Sequence, residues 1–157
     1  MKIEFKLNGE PLSMDLSGDE RVLEILRERV GISSCREGCG TGECGTCTVL
    51  VDGESRLSCL MVSAQLDGKT VTTVEGVRDL PRWAPLFESF DRLGAVQCGY
   101  CTPGMVLAAV DLLTRNPDPS RDEVRIALSG NICRCTGYRA IVDAVMEGAE
   151  IMRELPS

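Results

Sequence analysis

The chain has 157 residues, a formal net charge of −7 and a hydrophobic fraction of 43%. That length allows one ordinary domain or two small ones, and the apolar content argues against disorder. The acidic balance argues against a nucleic-acid-binding protein, which needs a clustered basic surface. Histidine is absent, which excludes His-ligated zinc, Rieske centres, His-ligated haem and Ser-His or Cys-His nucleophiles within this chain.

The first half of the chain predicts a small sheet with one helix. Residues 3–7 alternate between apolar and polar, and the Asn8-Gly9 turn signal leads to a second strand over 12–16. Ser17 or Asp19 is predicted to cap a helix that runs to Val30. Further strands are predicted over 48–51 and 69–74. A sheet with one helix packed across it is the economical arrangement.

The second half predicts four short helices, which together suggest a small bundle. The first covers residues 83–93. In the second, Thr102 is predicted to be the cap, with Pro103 at the first helical position. Ser120 and Glu123 form a capping-box pattern that opens a third helix, and apolar residues over 141–152 mark the face of the fourth. The join between the halves is expected near residues 75–81.

Eight of the nine cysteines fall into two sets of four. The first set lies in and after a glycine-rich loop, and its spacing is Cys39-x4-Cys44-x2-Cys47-x11-Cys59. C-x4-C-x2-C followed by a distant cysteine is the known spacing of plant-type 2Fe–2S centres. Glycines allow the backbone to wrap closely and direct its N–H groups at an anionic cluster. The alternative is a structural zinc site, although such sites prefer paired, closely spaced cysteines.

Cys35 leaves a second ligand set open for this loop. Cys35, Cys39, Cys44 and Cys47 could supply all four thiolates, with Cys59 as a small buried apolar residue. In the eight-ligand assignment, Cys35 is instead either a spectator or a thiol that is prone to oxidation during purification.

The second set has the spacing Cys98-x2-Cys101-x31-Cys133-x-Cys135. Both pairs precede predicted helices, so two helix dipoles would direct their positive ends at an anionic cluster. A zinc site and a redox dithiol are the competing interpretations. From composition alone, Gln97 is a polar group satisfied by nearby backbone, and Arg134 is either a solvated charge or a contact to an anionic cofactor.

Cysteine usage favours a reducing compartment. The sequence begins directly with an alternating strand pattern, so we expect no signal peptide and no membrane span. Metal-bound thiolates in the cytoplasm fit better than a disulfide framework, and export together with a signal-bearing partner is left open.

The two cysteine motifs resemble those of a known family when taken together and in this order. The chain resembles the iron–sulfur subunit of the molybdenum hydroxylases, the xanthine dehydrogenase and aldehyde oxidase family. Besides the first cysteine set, the resemblance rests on the segments Gln97-Cys98-Gly99-Tyr100-Cys101-Thr102-Pro103-Gly104 and Asn131-Ile132-Cys133-Arg134-Cys135-Thr136-Gly137-Tyr138. It covers nearly the whole chain, and Cys35 departs from the usual pattern.

The resemblance implies an α+β fold with two domains and two 2Fe–2S clusters. Residues 1–76 would form a β-grasp, plant-type ferredoxin-like domain that holds the cluster nearer a flavin. Residues 82–157 would form a four-helix-bundle domain that holds the cluster nearer molybdenum. Gln97 and Cys135 would lie where the family contacts the pterin of the molybdenum cofactor. The implied ligands are, for the first cluster, Cys39, Cys44, Cys47 and Cys59, and, for the second, Cys98, Cys101, Cys133 and Cys135.

The implied function is an electron-transfer subunit of a multi-subunit oxidoreductase. A large subunit would bind the molybdenum-pterin cofactor, a medium subunit would bind FAD, and this chain would relay electrons between them. No residue of this chain would transform the substrate. The alternatives are a free-standing two-cluster carrier, which needs only a small docking patch, and a zinc-stabilised interaction module. A subunit should instead expose an apolar surface around residues 97–101.

Overall fold

In the computed structural model, which describes residues 1–155, the chain forms a five-stranded sheet followed by a group of helices. The strands are β1 (Lys2–Leu7), β2 (Glu10–Asp15), β3 (Thr48–Val51), β4 (Glu54–Leu57) and β5 (Thr70–Thr72). Their order in the sheet is β2-β1-β5-β3-β4, with β1 parallel to β5 and every other neighbouring pair antiparallel. The predicted sheet is confirmed. The sequence interpretation named no strand at β4, which pairs with β3 through the Asp52-Gly53 turn.

One helical segment packs against this sheet, and its predicted start is wrong. Helix α1 (Val22–Glu24) continues as a π-helical turn over Ile25–Arg29. Ser17 does not cap it, because the Ser17 amide bonds the Glu20 carboxylate and the Ser17 hydroxyl bonds Asp19. These contacts hold the chain in a local turn, and the helix begins five residues later.

Five helices follow the sheet. They are α2 (Val74–Arg78), α3 (Ala84–Arg92), α4 (Thr102–Arg115), α5 (Arg121–Ala127) and α6 (Arg139–Glu154). The four predicted bundle helices are confirmed as α3 to α6, and so is the reciprocal capping box of Ser120 and Glu123 at α5. Helix α2 was not predicted; it lies in the expected join and cuts the last strand short at Thr72. At α4 the cap is Cys101, and Thr102 is already helical.

Two apolar cores correspond to the two halves of the chain. The sheet core joins residues of β1 and β3 to α1, and includes the fully buried Ile3 and Leu23. The helical core contains Trp83 and Phe90 among mainly aliphatic side chains, and it is built mainly on α4 and α6. Leu50 of β3 belongs to this second core, so the sheet and the helices pack against each other. Within residues 1–155, no helix combines the length and apolar character that crossing a bilayer requires.

Candidate metal centres

The first cysteine set lies in a loop between α1 and β3, together with Cys59 after β4. Cys39 and Cys44 are half-buried, whereas Cys47 and Cys59 are only 2% and 4% exposed. Burial, followed by the neighbouring Cys47 thiol, raises the pKa of Cys59 to about 11. The four sulfurs therefore divide into an outer and an inner pair.

Backbone amides converge on the outer pair. The N–H groups of Thr41, Glu43 and Cys44 donate to Cys39 Sγ at 3.4, 3.3 and 3.4 Å. The Thr41 hydroxyl and these three amides lower the pKa of Cys39 to about 6. Donors that stabilise a thiolate also stabilise the negative charge of a metal-bound sulfur. This loop is therefore prepared for anionic sulfur.

A glycine keeps the sulfur of Cys44 accessible. A Cβ placed on Gly38 would lie 2.7 Å from Cys44 Sγ and 3.0 Å from Thr46 Oγ1. Any side chain at residue 38 would fill the space beside the sulfur. Thiolate donors, converging amides and this space fit an iron–sulfur cluster.

Cys35 lies apart from the converging amides. Its side chain is 2% exposed and packs in the sheet core. Burial, followed by the charges of Glu75 and Cys47, raises the pKa of Cys35 to about 12. Both Cys39 and Cys47 are among the neighbours that shift the pKa of Cys59, whereas Cys47 is the one cysteine among those that shift the pKa of Cys35. The structure thus favours Cys59 over Cys35 as the fourth thiolate of this set.

The second set joins the loop before α4 to the loop before α6. The sulfurs of Cys98 and Cys135 lie 3.5 Å apart, and both residues are exposed. Cys101 and Cys133 are less exposed, the first being half-buried and the second buried. This set again contains an outer and an inner pair, contributed by residues more than thirty positions apart.

The inner pair shows opposite pKa shifts. Burial, followed by the hydrogen bond to Cys133, raises the pKa of Cys101 to about 12. Burial also acts to raise the pKa of Cys133, but the hydroxyl and amide of Thr136 outweigh it and the net shift is downward. Metal binding would therefore displace the Cys101 proton.

The arrangement of the cysteines in pairs fits a centre that contains two metal ions. Within the described residues, no three His, Cys, Asp or Glu side chains are placed to hold a single metal ion. A 2Fe–2S cluster places two of its four thiolates on each iron, so it requires pairs rather than three donors at one point.

The two cysteine loops touch each other. The N–H of Ile132 donates to the carbonyl of Cys44 at 2.9 Å, and Ile132 is bonded directly to Cys133. Beside this contact, the buried Asn131 donates from Nδ2 to the Gly45 carbonyl at 3.0 Å. Cys44 of the first set is therefore connected to Cys133 of the second set through a single hydrogen bond and the intervening residue Ile132.

A second contact joins the loops on their other side. The Tyr100 hydroxyl donates to the Glu37 carbonyl at 2.7 Å, and Arg36 donates to the Gly99 carbonyl. The Arg36 guanidinium also lies 5.2 Å from the Tyr100 ring centroid, which is a cation–π distance. The sequence analysis assigned no contact between the loops to Tyr100, Arg36 or Asn131. Their partners lie more than sixty residues away, so local spacing holds no signal for them.

Gln97 and Cys135 occupy the exposed side of the second set. Three apolar side chains near Gln97 are also exposed: Leu93 (36%), Val96 (42%) and Tyr100 (47%). Arg134, adjacent to Cys135, is exposed as well. The outer cysteine pair of the helical half thus opens onto a surface with apolar character.

Comparison with known protein families covers almost the whole chain. Residues 5–74 match the family described as 2Fe-2S iron-sulfur cluster binding domain. Residues 73–146 match the family described as [2Fe-2S] binding domain. The two matched regions correspond to the sheet and the helices.

Full-length relatives are small subunits. The chain is 47% identical to the nicotinate dehydrogenase small FeS subunit of Eubacterium barkeri, over 94% of each chain. It is 42% identical to the nicotine 6-hydroxylase small subunit of Paenarthrobacter nicotinovorans, over 94% of this chain and 88% of that one. It is 41% identical to the xanthine dehydrogenase iron-sulfur-binding subunit of Escherichia coli O157:H7, over 92% of each.

Solved structures share the fold. A chain of quinoline 2-oxidoreductase from Pseudomonas putida 86 superposes with a TM-score of 0.91 at 43% identity, over 98% of this chain and 96% of that one. The aldehyde oxidoreductase from Desulfovibrio desulfuricans ATCC 27774 gives a TM-score of 0.92 at 38% identity. There the match covers 98% of this chain but only 17% of the larger polypeptide.

Proposed function

Because the chain belongs to the iron–sulfur subunits of the molybdenum hydroxylase family and is an electron-transfer subunit with two 2Fe–2S clusters, we propose that its two cysteine sets are the cluster ligands. The sheet-domain cluster is assigned to Cys39, Cys44, Cys47 and Cys59. The helical-domain cluster is assigned to Cys98, Cys101, Cys133 and Cys135. The amides at Cys39 and the pairing of the sulfurs support this assignment.

The observation that carries the proposed relay is the contact between Cys44 and Ile132. Each bound cluster supplies a site that accepts and returns one electron. The protein's part is to hold the two ligand loops together, and the 2.9 Å bond from Ile132 N to Cys44 O does so at their closest point. The bond requires no side chain, so it depends only on the relative position of the two loops.

The helical domain is proposed to dock against a large molybdenum-binding subunit. Cys98 and Cys135 are exposed, and Leu93, Val96 and Tyr100 form an apolar surface near them. A monomer gains nothing from exposing apolar side chains beside a redox centre, whereas an interface buries them and excludes water. Gln97 and Cys135 are proposed to contact the pterin of the molybdenum cofactor, because both lie on this surface.

The sheet domain is proposed to face a medium FAD-binding subunit. Its outer pair, Cys39 and Cys44, is half-buried, and Leu60 beside Cys59 is 60% exposed. Electrons would then travel from the molybdenum subunit through the helical domain and the sheet domain to the flavin. The substrate is oxidised in the partner, and no residue of this chain is assigned to that step.

We also propose that the two domains comprise residues 1–76 and 82–157, and that the protein acts in the cytoplasm. The separate apolar cores of the sheet and the helices support the division; residues 156–157 lie outside the described part of the chain. The location is supported by the assignment of eight cysteines as metal ligands, because a reducing compartment keeps thiols available for metal rather than paired in disulfides.

Affinity purification of the tagged chain from its native host tests the proposed assembly. Molybdenum and flavin should co-purify with it, whereas a free-standing carrier would be isolated alone with both clusters.

Val96→Asp should release the molybdenum-containing partner while leaving the iron content unchanged. Leu155→Asp is the matched control, because exposed Leu155 follows the far end of α6, about 24 Å along the helix from Cys135. Equal loss of partner in both variants would contradict the assigned surface.

A further inference from the structure

Besides the Thr41 hydroxyl beside Cys39, two threonine hydroxyls donate to cysteine sulfurs, one in each domain. Thr46 Oγ1 lies 3.2 Å from Cys44 Sγ, and Thr136 Oγ1 lies 3.1 Å from Cys133 Sγ. A hydroxyl has one proton to donate. At Thr136, the Tyr138 amide donates to the same oxygen at 3.3 Å, which leaves the hydroxyl proton for the sulfur.

The two sulfurs that receive these hydroxyls belong to the residues nearest the contact between the domains. Cys44 accepts the Ile132 N–H through its carbonyl, and Cys133 is the residue after Ile132. Both hydroxyls therefore act on cysteines that lie at, or next to, the contact between the two loops.

A hydrogen bond to a cluster sulfur favours the reduced state. Reduction adds one electron and no proton, so negative charge on the sulfurs increases, and a donor interacts more strongly with the more negative form. On this basis we propose that the hydroxyls of Thr46 and Thr136 each raise the reduction potential of the cluster in their own domain. This proposal rests on the cluster ligands assigned above.

The hydroxyl of Thr46 should raise the reduction potential of its cluster by more than the hydroxyl of Thr136 does. Thr46 is buried, at 5% exposure, and a hydrogen bond shielded from water is electrostatically stronger. Thr136 is half-buried, and its backbone N–H also donates to Cys133 Sγ at 3.4 Å. Removing the Thr136 hydroxyl therefore leaves one donor in place.

Threonine-to-valine substitutions test the proposal, because valine keeps the shape and removes the hydroxyl. Redox titrations of the complex, followed by the EPR signal of each cluster, give the two potentials separately. Thr46→Val should shift the sheet-domain potential to a more negative value and leave the helical-domain potential unchanged. Thr136→Val should do the reverse, with a smaller shift. Thr46→Ser and Thr136→Ser retain a hydroxyl and should keep potentials close to those of the unchanged protein.

Unchanged potentials in both valine variants would overturn the proposal, and so would equal shifts in the valine and serine variants, since those would report packing. If buried Thr46→Val does not retain its cluster, Thr46→Ala against Thr46→Ser gives the same comparison. A more negative sheet-domain potential in Thr46→Ala but not in Thr46→Ser supports the proposal, and equal potentials in these two variants contradict it. Absence of two 2Fe–2S signals in the unsubstituted protein would instead contradict the ligand assignment itself.

Discussion

The backbone N–H of Ile132 and the backbone carbonyl of Cys44 form a 2.9 Å hydrogen bond that joins the two cysteine loops across the domain boundary. The two residues are far apart in sequence and lie in different halves of the chain. Three features hold this contact: the Asn131 amide, the close packing of Gly45 against α4, and the bonds of Arg36 and Tyr100 on the other side. The predictions below test these features and the residues that depend on them.

Asn131→Ala should weaken the attachment of the two domains. The buried Asn131 Nδ2 donates to the Gly45 carbonyl at 3.0 Å and lies 3.4 Å from Thr48 Oγ1. The Gly45 carbonyl keeps the N–H and the hydroxyl of Thr48 as donors, so the free energy of unfolding should fall by the net value of one hydrogen bond, about 0.5–1.5 kcal/mol. Anaerobic denaturant titration of the cluster-loaded chain measures it.

Asn116→Ala is the matched control for this substitution. Asn116 follows α4 and bonds the exposed Glu123, so its loss should change the free energy of unfolding by only about 0.5 kcal/mol. An Asn131→Ala variant as stable as the control would show that the Asn131 amide does not hold the loops together.

Gly104→Ala should force α4 away from the first cysteine loop. A Cβ on Gly104 would lie 2.4 Å from the Gly45 carbonyl oxygen, and overpacking of this kind costs about 1–3 kcal/mol. The rate of electron transfer between the clusters should fall as well, because Gly45 follows Cys44 directly. Rapid-mixing reduction followed optically measures that rate.

Gly130→Ala provides the control, since a Cβ on Gly130 would meet nothing within 4 Å. Its stability and its electron-transfer rate should match those of the unsubstituted chain. If Gly104→Ala behaved in the same way, close approach of α4 to the loop would not be needed for the relay.

Cys59→Ser and Cys35→Ser together test the ligands of the sheet domain. Cys47 and Cys39 are both among the neighbours that shift the pKa of Cys59, whereas Glu75 and Cys47 are the neighbours that raise the pKa of Cys35. Cys59→Ser should abolish or distort one of two EPR signals, and Cys35→Ser should preserve both. The reverse outcome would mean that Cys35 supplies the fourth thiolate.

Gln97→Ala should spare both clusters and reduce retention of the molybdenum cofactor by the assembled enzyme. Gln97 is exposed beside Cys98, so its side chain is free to contact a partner-bound group and is not needed for packing. Molybdenum and iron contents of the purified complex measure the two effects independently. An unchanged ratio of molybdenum to iron would contradict the proposed contact between Gln97 and the pterin.

Local signals in the sequence predicted most of the architecture. Cysteine spacing grouped the eight proposed ligands, and the capping box of Ser120 and Glu123 located α5, because each pattern depends on neighbours along the chain. The same reasoning misplaced the start of α1: it could not show that Ser17 would bond nearby carboxylates instead of capping the helix. It also missed Asn131, whose partner Gly45 is 86 residues away. Contacts between domains arise from tertiary packing, which periodicity and spacing do not encode.

The most direct test of the central claim is metal analysis combined with low-temperature EPR of the reduced chain, purified anaerobically from its native host. We predict about four iron atoms per chain, two for each cluster, and two distinct 2Fe–2S signals. A single 2Fe–2S signal, or zinc without iron in both sites, would contradict the proposed relay.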